Sequence, residues 1–231
     1  MSNILKGKTA LVTGGSRGLG AATAEALADQ GADVAISYVA SADKAEAVVA
    51  TLKAKGVRAL AVQSDQADVA AAKPLIEKVT AHFGKLDILV NNAAIAVQGR
   101  TVDDPELDAV NLDRQWLTNV LGVVATTRAA APVRIIFIGS LLGSRVPISG
   151  VADYAGTKAA IAGYARGVAR DLGPRNITVN TVQPGIMPTD MAAAVREKLP
   201  AALMDLHPIR RIATLEEVAA LVCFLAGPNG G

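Results

Sequence analysis

The sequence predicts an α/β protein built on one doubly wound parallel sheet with helices on both faces, and three observations carry that expectation. Short β-rich runs alternate with longer Ala-rich helical runs along the chain. The first strand, Thr9-Ala10-Leu11-Val12, is too continuously apolar to have one face in water, as buried parallel strands are. Most residues that stand out chemically, from Gly14 to Gly185, close a strand, and that is the end of such a sheet where ligands bind. With 231 residues, 51% of them hydrophobic, residues 1–231 are long enough to bury the core of a single domain.

The chain can be taken in order. After the first strand comes the turn Thr13-Gly14-Gly15-Ser16-Arg17-Gly18-Leu19-Gly20, and a helix continues through Ala21, Ala24, Leu27 and Ala28 to Gly31, a residue suited to a C-terminal cap. Glycines let backbone approach a phosphate, and the first amides of a helix point unpaired N–H groups at the anion. The spacing Gly14-x-x-x-Gly18-x-Gly20 departs from the common G-x-G-x-x-G fingerprint.

Residues 32–37 form the second strand, and 42–55 a helix capped by Ser41 and closed by Gly56. The third strand, 58–63, ends at Ser64-Asp65-Gln66; the helix 67–83 ends at Gly84. The fourth strand, 86–90, runs into Asn91-Asn92-Ala93-Ala94, and an irregular connection, 95–114, leads to a helix holding Trp116, Asn119 and Val123. The fifth strand, 133–138, ends at Gly139-Ser140 and precedes the helix 153–172; the sixth, 177–182, ends at Pro184-Gly185. Residues 186–211 contain prolines 188, 200 and 208 and read as a lid, apolar through Met187, Met191, Leu203 and Met204. Thr214-x-x-Glu217 is the capping pattern that opens the last helix.

Several function classes are disfavoured. Net charge is +2 with scattered Lys and Arg, and aromatics are 3%, so nucleic acid is not expected as a partner. The single cysteine, Cys223, sits in an apolar helical run and reads as a small buried hydrophobe. The two histidines, His82 and His207, are too few and too scattered for a metal site. No signal peptide or bilayer-length apolar run is present, so a cytoplasmic protein off the membrane is expected.

Tyr154 and Lys158 lie four apart near the start of one helix and therefore share a face, with Cβ atoms about 5–6 Å apart. A free phenol titrates near ~10, too high for acid-base work at neutral pH. An ammonium at ~4 Å in an effective dielectric of ~20 contributes about 4 kcal/mol, roughly three pKa units, enough to bring Tyr154 toward neutrality. Ser140, at the end of the preceding strand, offers a hydroxyl that can polarise a carbonyl. Asn119 is conspicuous because asparagine is a poor mid-helix residue.

Together these residues make the chain resemble the short-chain dehydrogenase/reductase family across nearly its whole length, most closely the 3-oxoacyl-[acyl-carrier-protein] reductase branch. The matching motifs are Thr13 to Gly20, Asn91-Asn92-Ala93-Ala94, Asn119, Ser140, Tyr154-Ala155-Gly156-Thr157-Lys158, and Pro184-Gly185 with Thr189. The resemblance implies a Rossmann-type sheet of strand order 3-2-1-4-5-6 and hydride transfer between a nicotinamide cofactor and a carbonyl or alcohol. It implies Tyr154 as proton donor, Ser140 on the substrate oxygen, Lys158 on the nicotinamide ribose and Asn119 ordering a relay water. For the cofactor it implies Gly14, Ser16, Arg17, Gly18, Leu19 and Gly20 at the phosphates and Asp65, Gln66, Asn92, Ala93 and Ala94 around the adenosine half. Pro184, Gly185, Ile186 and Thr189 would lie on the nicotinamide side, with Ile186 offering backbone to the carboxamide.

The cofactor can also be argued physically. Where a carboxylate would take the adenosine ribose hydroxyls, the second strand ends in Tyr38. Arg17 supplies a guanidinium for a 2′-phosphate, and Ser37 or Ser41 could add hydrogen bonds, so NADP(H) is favoured over NAD(H). The expected protein is an NADPH-dependent carbonyl reductase, homo-oligomeric as a dimer or tetramer. The alternatives are an NAD-dependent alcohol dehydrogenase and a non-catalytic NADP-binding regulator.

Three features depart from the family pattern. Ala94 stands where glycine is common, which should crowd that turn slightly. Residues 119–140 form a short run with Ala131-Pro132 abutting Val133, so a polar loop is expected there in the natural protein. The turn signal Pro228-Asn229-Gly230-Gly231 has no successor, so a seventh strand beside the sixth is expected beyond it.

Overall fold

The computed structural model describes residues 3–130, 134–192 and 208–230. The expected loop at 131–133, most of the lid (193–207, with Leu203, Met204 and His207) and Gly231 lie outside the described residues.

Six strands form one sheet in the order 3-2-1-4-5-6, and every neighbouring pair is parallel. They are β1 (Thr9–Val12), β2 (Asp33–Tyr38), β3 (Ala59–Gln63), β4 (Ile88–Asn91), β5 (Arg134–Ile138) and β6 (Thr178–Val182). The helices are α1 (Gly18–Asp29), α2 (Ala42–Ala54), α3 (Ala72–Phe83), α4 (Ala109–Trp116), α5 (Gly122–Ala129), α6 (Ala152–Leu172) and α7 (Leu215–Ala226).

Strand alternation divides the apolar residues between two cores, which explains why the strands read as unbroken hydrophobic runs. Ala10, Val12, Val34, Ile36, Val90 and Ile136 face the core closed by α1, α2 and α7. Leu11, Ala35, Leu89, Ile135 and Phe137 face the opposite core, closed by α3, α5 and α6. Phe137 is fully enclosed, a burial worth about 2–3 kcal/mol. Cys223 joins the first core, and burial, with Asp29 adding a smaller effect, pushes its thiol up to about 12.

After β3 the chain crosses back over the sheet to place β4 on the other side of β1. This reversal opens a crevice at the carboxyl ends of β1 and β4, the position such sheets use for ligands. At the opposite end, Asp87 accepts from the Thr9 amide at 2.9 Å and pairs with Lys8 and Lys85, pinning β4 to β1.

Local capping agrees with expectation in part. Thr214 and Glu217 make the reciprocal capping box that opens α7, and Gly31, Gly56 and Gly84 all take positive φ just past their helices. Ser41 occupies the N-cap position of α2, but its side chain makes no capping hydrogen bond. The helix expected over 67–83 begins as a 3-10 turn, Val69–Ala71, because the Asp68 carboxylate accepts from the Ala70 amide and tightens the entry. The helix expected around Asn119 is interrupted by a π turn, Leu117–Leu121, between α4 and α5. Among the described residues no helix is long and apolar enough to cross a membrane.

Candidate active site

The glycine turn is fixed by sterics and by its neighbours' side chains. Gly14 and Gly18 take φ of 66° and 53°, where a Cβ is strained. A Cβ on Gly15 would lie 2.5 Å from the Ile36 side chain, and one on Gly20 would strike the Gly14 carbonyl. Thr13 Oγ1 accepts from the amides of Asn92 and Ala93, each at 3.0 Å. The Asn92 amide group donates to the carbonyls of Thr13 at 2.8 Å and Gly14 at 3.2 Å. Leu19 is buried in the first core, so it anchors the start of α1 and has only its backbone to offer a ligand.

These contacts separate residues facing the crevice from residues that build it. Asn92 has committed its side-chain donors to the turn. Ser37, expected near a 2′-phosphate, is buried: its hydroxyl accepts from the Gly14 amide at 3.3 Å and its carbonyl from Gly15 at 2.9 Å. Ser37 is therefore a support of the turn. Tyr38, one residue on, is half-buried against the first core at the end of β2.

At the end of β3, Asp65 accepts from the Ala67 amide at 2.9 Å and pairs with Arg114 at 2.8 Å. Burial acts to raise its pKa, but the hydrogen bonds from Arg114 and Ala67 and the Arg114 charge prevail and hold the carboxyl below its ordinary value. Gln66 is buried: its side chain donates to Thr126 Oγ1 at 3.3 Å and its carbonyl packs against Gly122.

On the other side of the crevice, Ser140, Tyr154, Lys158 and Asn119 are brought together. Ser140 ends β5, accepts from Leu142 at 3.1 Å and hydrogen-bonds the Tyr154 side chain. The 3-10 turn Leu141–Gly143 presses onto α6, where a Cβ on Gly143 would sit 2.8 Å from the Lys158 backbone. Gly156 gives similar room to Trp116, whose indole donates to Asp153 at 2.9 Å and seats α4 against the start of α6.

Lys158 is buried, donates to the Ile138 carbonyl at 2.9 Å and lies 5.7 Å from the centroid of the Tyr154 ring. Burial pushes its pKa down to about 8. The phenol does not shift as expected. Burial raises the Tyr154 pKa and the Ser140 hydrogen bond only partly opposes it. The enclosure that brings the pair together removes solvent from both, which disfavours the charged form of each.

Asn119 is also more constrained than a water-ordering residue on an open helix face. Its Oδ1 accepts from the Ile95 amide at 2.9 Å, and its Nδ2 donates to the Ile95 carbonyl at 2.9 Å and to Thr157 Oγ1 at 3.2 Å. Thr157 in turn donates to the Tyr154 carbonyl at 2.7 Å. Ile95 and Thr157 thus hold Asn119 beside Tyr154, a partnership the sequence signalled only through Thr157 inside the Tyr-x-x-x-Lys spacing.

Beyond β6, the Pro184 carbonyl accepts from Leu141 at 2.9 Å, tying Pro184-Gly185 to the Ser140 turn. The Ile186 carbonyl is taken by the Ala213 amide at 3.2 Å, leaving its own amide as the group it can offer. Thr189 accepts from Ala192 at 3.2 Å and lies over the glycine turn, its methyl 3.5 Å from where a Gly18 Cβ would be. Among the described residues no three or more His, Cys, Asp or Glu gather as a metal site.

The profile of a family described as short chain dehydrogenase matches residues 8–200. The cyclic-di-GMP-binding biofilm dispersal mediator protein of Escherichia coli K12 is 41% identical over 228 residues, 96% of this chain and 91% of that one. The 3-oxoacyl-[acyl-carrier-protein] reductase FabG of Staphylococcus aureus is 40% identical, over 95% of this chain and 90% of that one. Among solved structures, a short chain dehydrogenase from Burkholderia cenocepacia in complex with NADP superposes with a TM-score of 0.91 at 46% identity, covering 98% of this chain and 93% of that one. A blue fluorescent protein from a metagenomic library, in complex with NADPH, gives 0.91 at 42%, with the same coverage of each chain.

Proposed function

The chain belongs to the short-chain dehydrogenase family of oxidoreductases, and from that premise we propose that it is an NADPH-dependent carbonyl reductase whose proton donor is Tyr154. The observation that carries the reading is the joined set Ser140, Tyr154, Lys158 and Asn119 at the carboxyl ends of the strands, facing a glycine turn that side chains would close.

The residues fit a nicotinamide dinucleotide. Gly14 and Gly18 keep the turn bare, and the first amides of α1 supply donors for a diphosphate. Lys158 uses one hydrogen bond on Ile138 and has further donors for ribose hydroxyls. No acid ends β2, and Arg17, at the N-cap of α1, supplies a cation for a 2′-phosphate. The nearest acid further along is Asp43, in the first turn of α2. When bound, the reduced cofactor supplies hydride to the carbonyl carbon.

The protein's own groups handle the oxygen. The Ser140 hydroxyl donates to the substrate oxygen, polarising the carbonyl and orienting it against Tyr154. The Tyr154 phenol gives up its proton as charge develops on that oxygen, and Lys158 stabilises the phenolate that remains. Enclosure keeps the phenol protonated until a base of alkoxide strength forms beside it. With both side-chain donors committed, Asn119 holds Ile95 and Thr157 in place beside Tyr154.

Oxidation of NADPH and NADH against ketones, β-ketoesters and quinones tests the reading; no turnover with any of them overturns it. A second reading, a nucleotide-binding regulator, draws support from the name of the Escherichia coli relative. An intact proton-donor set favours the enzyme.

A further inference from the structure

Arg17 and Asp190 meet across the crevice at 3.1 Å, joining the glycine turn to the segment that follows β6. The sheet order gives this contact its meaning. β2, where an adenosine ribose and its 2′-phosphate belong, lies on one side of β1, whereas β6 lies beyond β4 and β5 on the other. Asp190 therefore draws the Arg17 guanidinium toward the nicotinamide half of the crevice, away from the end of β2. The contact is built in rather than accidental in its surroundings: Thr189, the neighbouring residue, packs over Gly18 and accepts from Ala192, which fixes where the Asp190 backbone stands.

We propose that Asp190 is a determinant of cofactor specificity, competing with the 2′-phosphate of NADP(H) for Arg17. The inference rests on the reading of Arg17 as the 2′-phosphate partner. Held on Asp190 through Nη1, the guanidinium stands on the nicotinamide side, and gripping a phosphate at the β2 side requires it to leave that position. Binding of the phosphorylated cofactor thus requires breaking the pair, whereas binding of NAD(H) leaves it in place. Both partners are largely exposed, at 62% and 68%, so the competition is modest. It lowers the preference for NADPH by about two- to fivefold.

The test is calorimetric titration of NADPH and NADH into the wild-type protein, Asp190→Asn, Arg17→Gln and the double variant. The readout is the ratio of the two dissociation constants, which cancels any general effect of removing a negative charge near the diphosphate. Asp190→Asn is expected to raise the preference for NADPH by about two- to fivefold with Arg17 present and to leave the ratio unchanged in the Arg17→Gln background. If Arg17→Gln lowers the preference but Asp190→Asn does not raise it, the competition is refuted and the cofactor reading stands. If Arg17→Gln leaves the ratio unchanged, the assignment of Arg17 and the role of Asp190 fall together.

Discussion

The two halves of the crevice are held open by different physics. On the β1–β2 side the turn from Thr13 to Gly20 is fixed by backbone conformation and by neutral groups: Ser37 and Asn92 satisfy its amides and carbonyls, and the Thr13 hydroxyl accepts from Asn92 and Ala93. On the β5–α6 side the ionisable Tyr154 and Lys158 are enclosed, and burial opposes the charged form of each. The first half gains a shaped cradle at little electrostatic cost. The second accepts an unfavourable environment for its charges, which makes them responsive to a reacting group. Variants that exchange or remove these features test the contrast.

The largest expected effect is on chemistry. Tyr154→Phe keeps the ring and removes the hydroxyl proposed as proton donor, so turnover should fall about 10²–10⁴-fold while NADPH affinity stays within a few-fold. Steady-state kinetics with titration of the cofactor by fluorescence would show this. Activity close to wild type would remove Tyr154 from the role of acid.

The charge penalty on Lys158 predicts a gain in stability from a loss of function. Its folded pKa, about 8, lies below the ordinary 10.5, so the unfolded chain binds the extra proton between those values. Stability should therefore rise with pH from about 8 to 10.5 and be lowest below 8, by up to about 3 kcal/mol at pH 7. Lys158→Met abolishes that penalty but leaves the Ile138 carbonyl without its donor, for a net gain of about 1–2 kcal/mol at pH 7. Urea unfolding of the cofactor-free protein at pH 7 and 10 should show the advantage at pH 7 shrinking at pH 10. An equal difference at both pH values would mean that the amine carries no charge penalty.

The cradle makes the opposite prediction, a loss from adding a single methyl. Gly20→Ala places a Cβ against the Gly14 carbonyl and 2.6 Å from the Asn92 amide nitrogen, so the turn must shift. Overpacking of this kind costs about 1–3 kcal/mol, and cofactor affinity should fall by about tenfold or more while Tyr154 remains in place. Thermal unfolding combined with cofactor titration separates the two losses.

How far the sequence disclosed this molecule follows the same division. The parallel sheet and its order were legible because alternation of strand and helix, apolar runs and glycine stops are local signals that survive into the fold. The residues at the strand ends were legible as a group for the same reason. What remained hidden were partnerships across the chain. That Ser37 and Asn92 support the glycine turn, that Gln66 faces Thr126, and that Asn119 clasps Ile95 depend on contacts 23 to 79 residues apart. Burial was the other blind spot: spacing put Lys158 beside Tyr154, but only the packed structure shows that solvent exclusion disfavours the charged form of each.

A weaker effect concerns an exposed charge on the cradle half. The end of β2 has Tyr38 where an acid would bind ribose hydroxyls, and Arg17 stands free of burial across the turn. Tyr38→Asp adds a carboxylate that would repel a 2′-phosphate and accept from an unmodified ribose; Arg17→Ser removes the cation proposed to bind that phosphate. Each change acts through solvent, so neither carries the weight of a buried pair, and together they should shift preference toward NADH by about tenfold. Tyr38 also packs at the edge of the first core, so the double variant should lose a little stability, which Arg17→Ser alone would not. Comparing kcat/KM for both cofactors across the two single variants and the double separates these contributions. A wild-type protein that already prefers NADH would show that Tyr38 and Arg17 do not govern the choice.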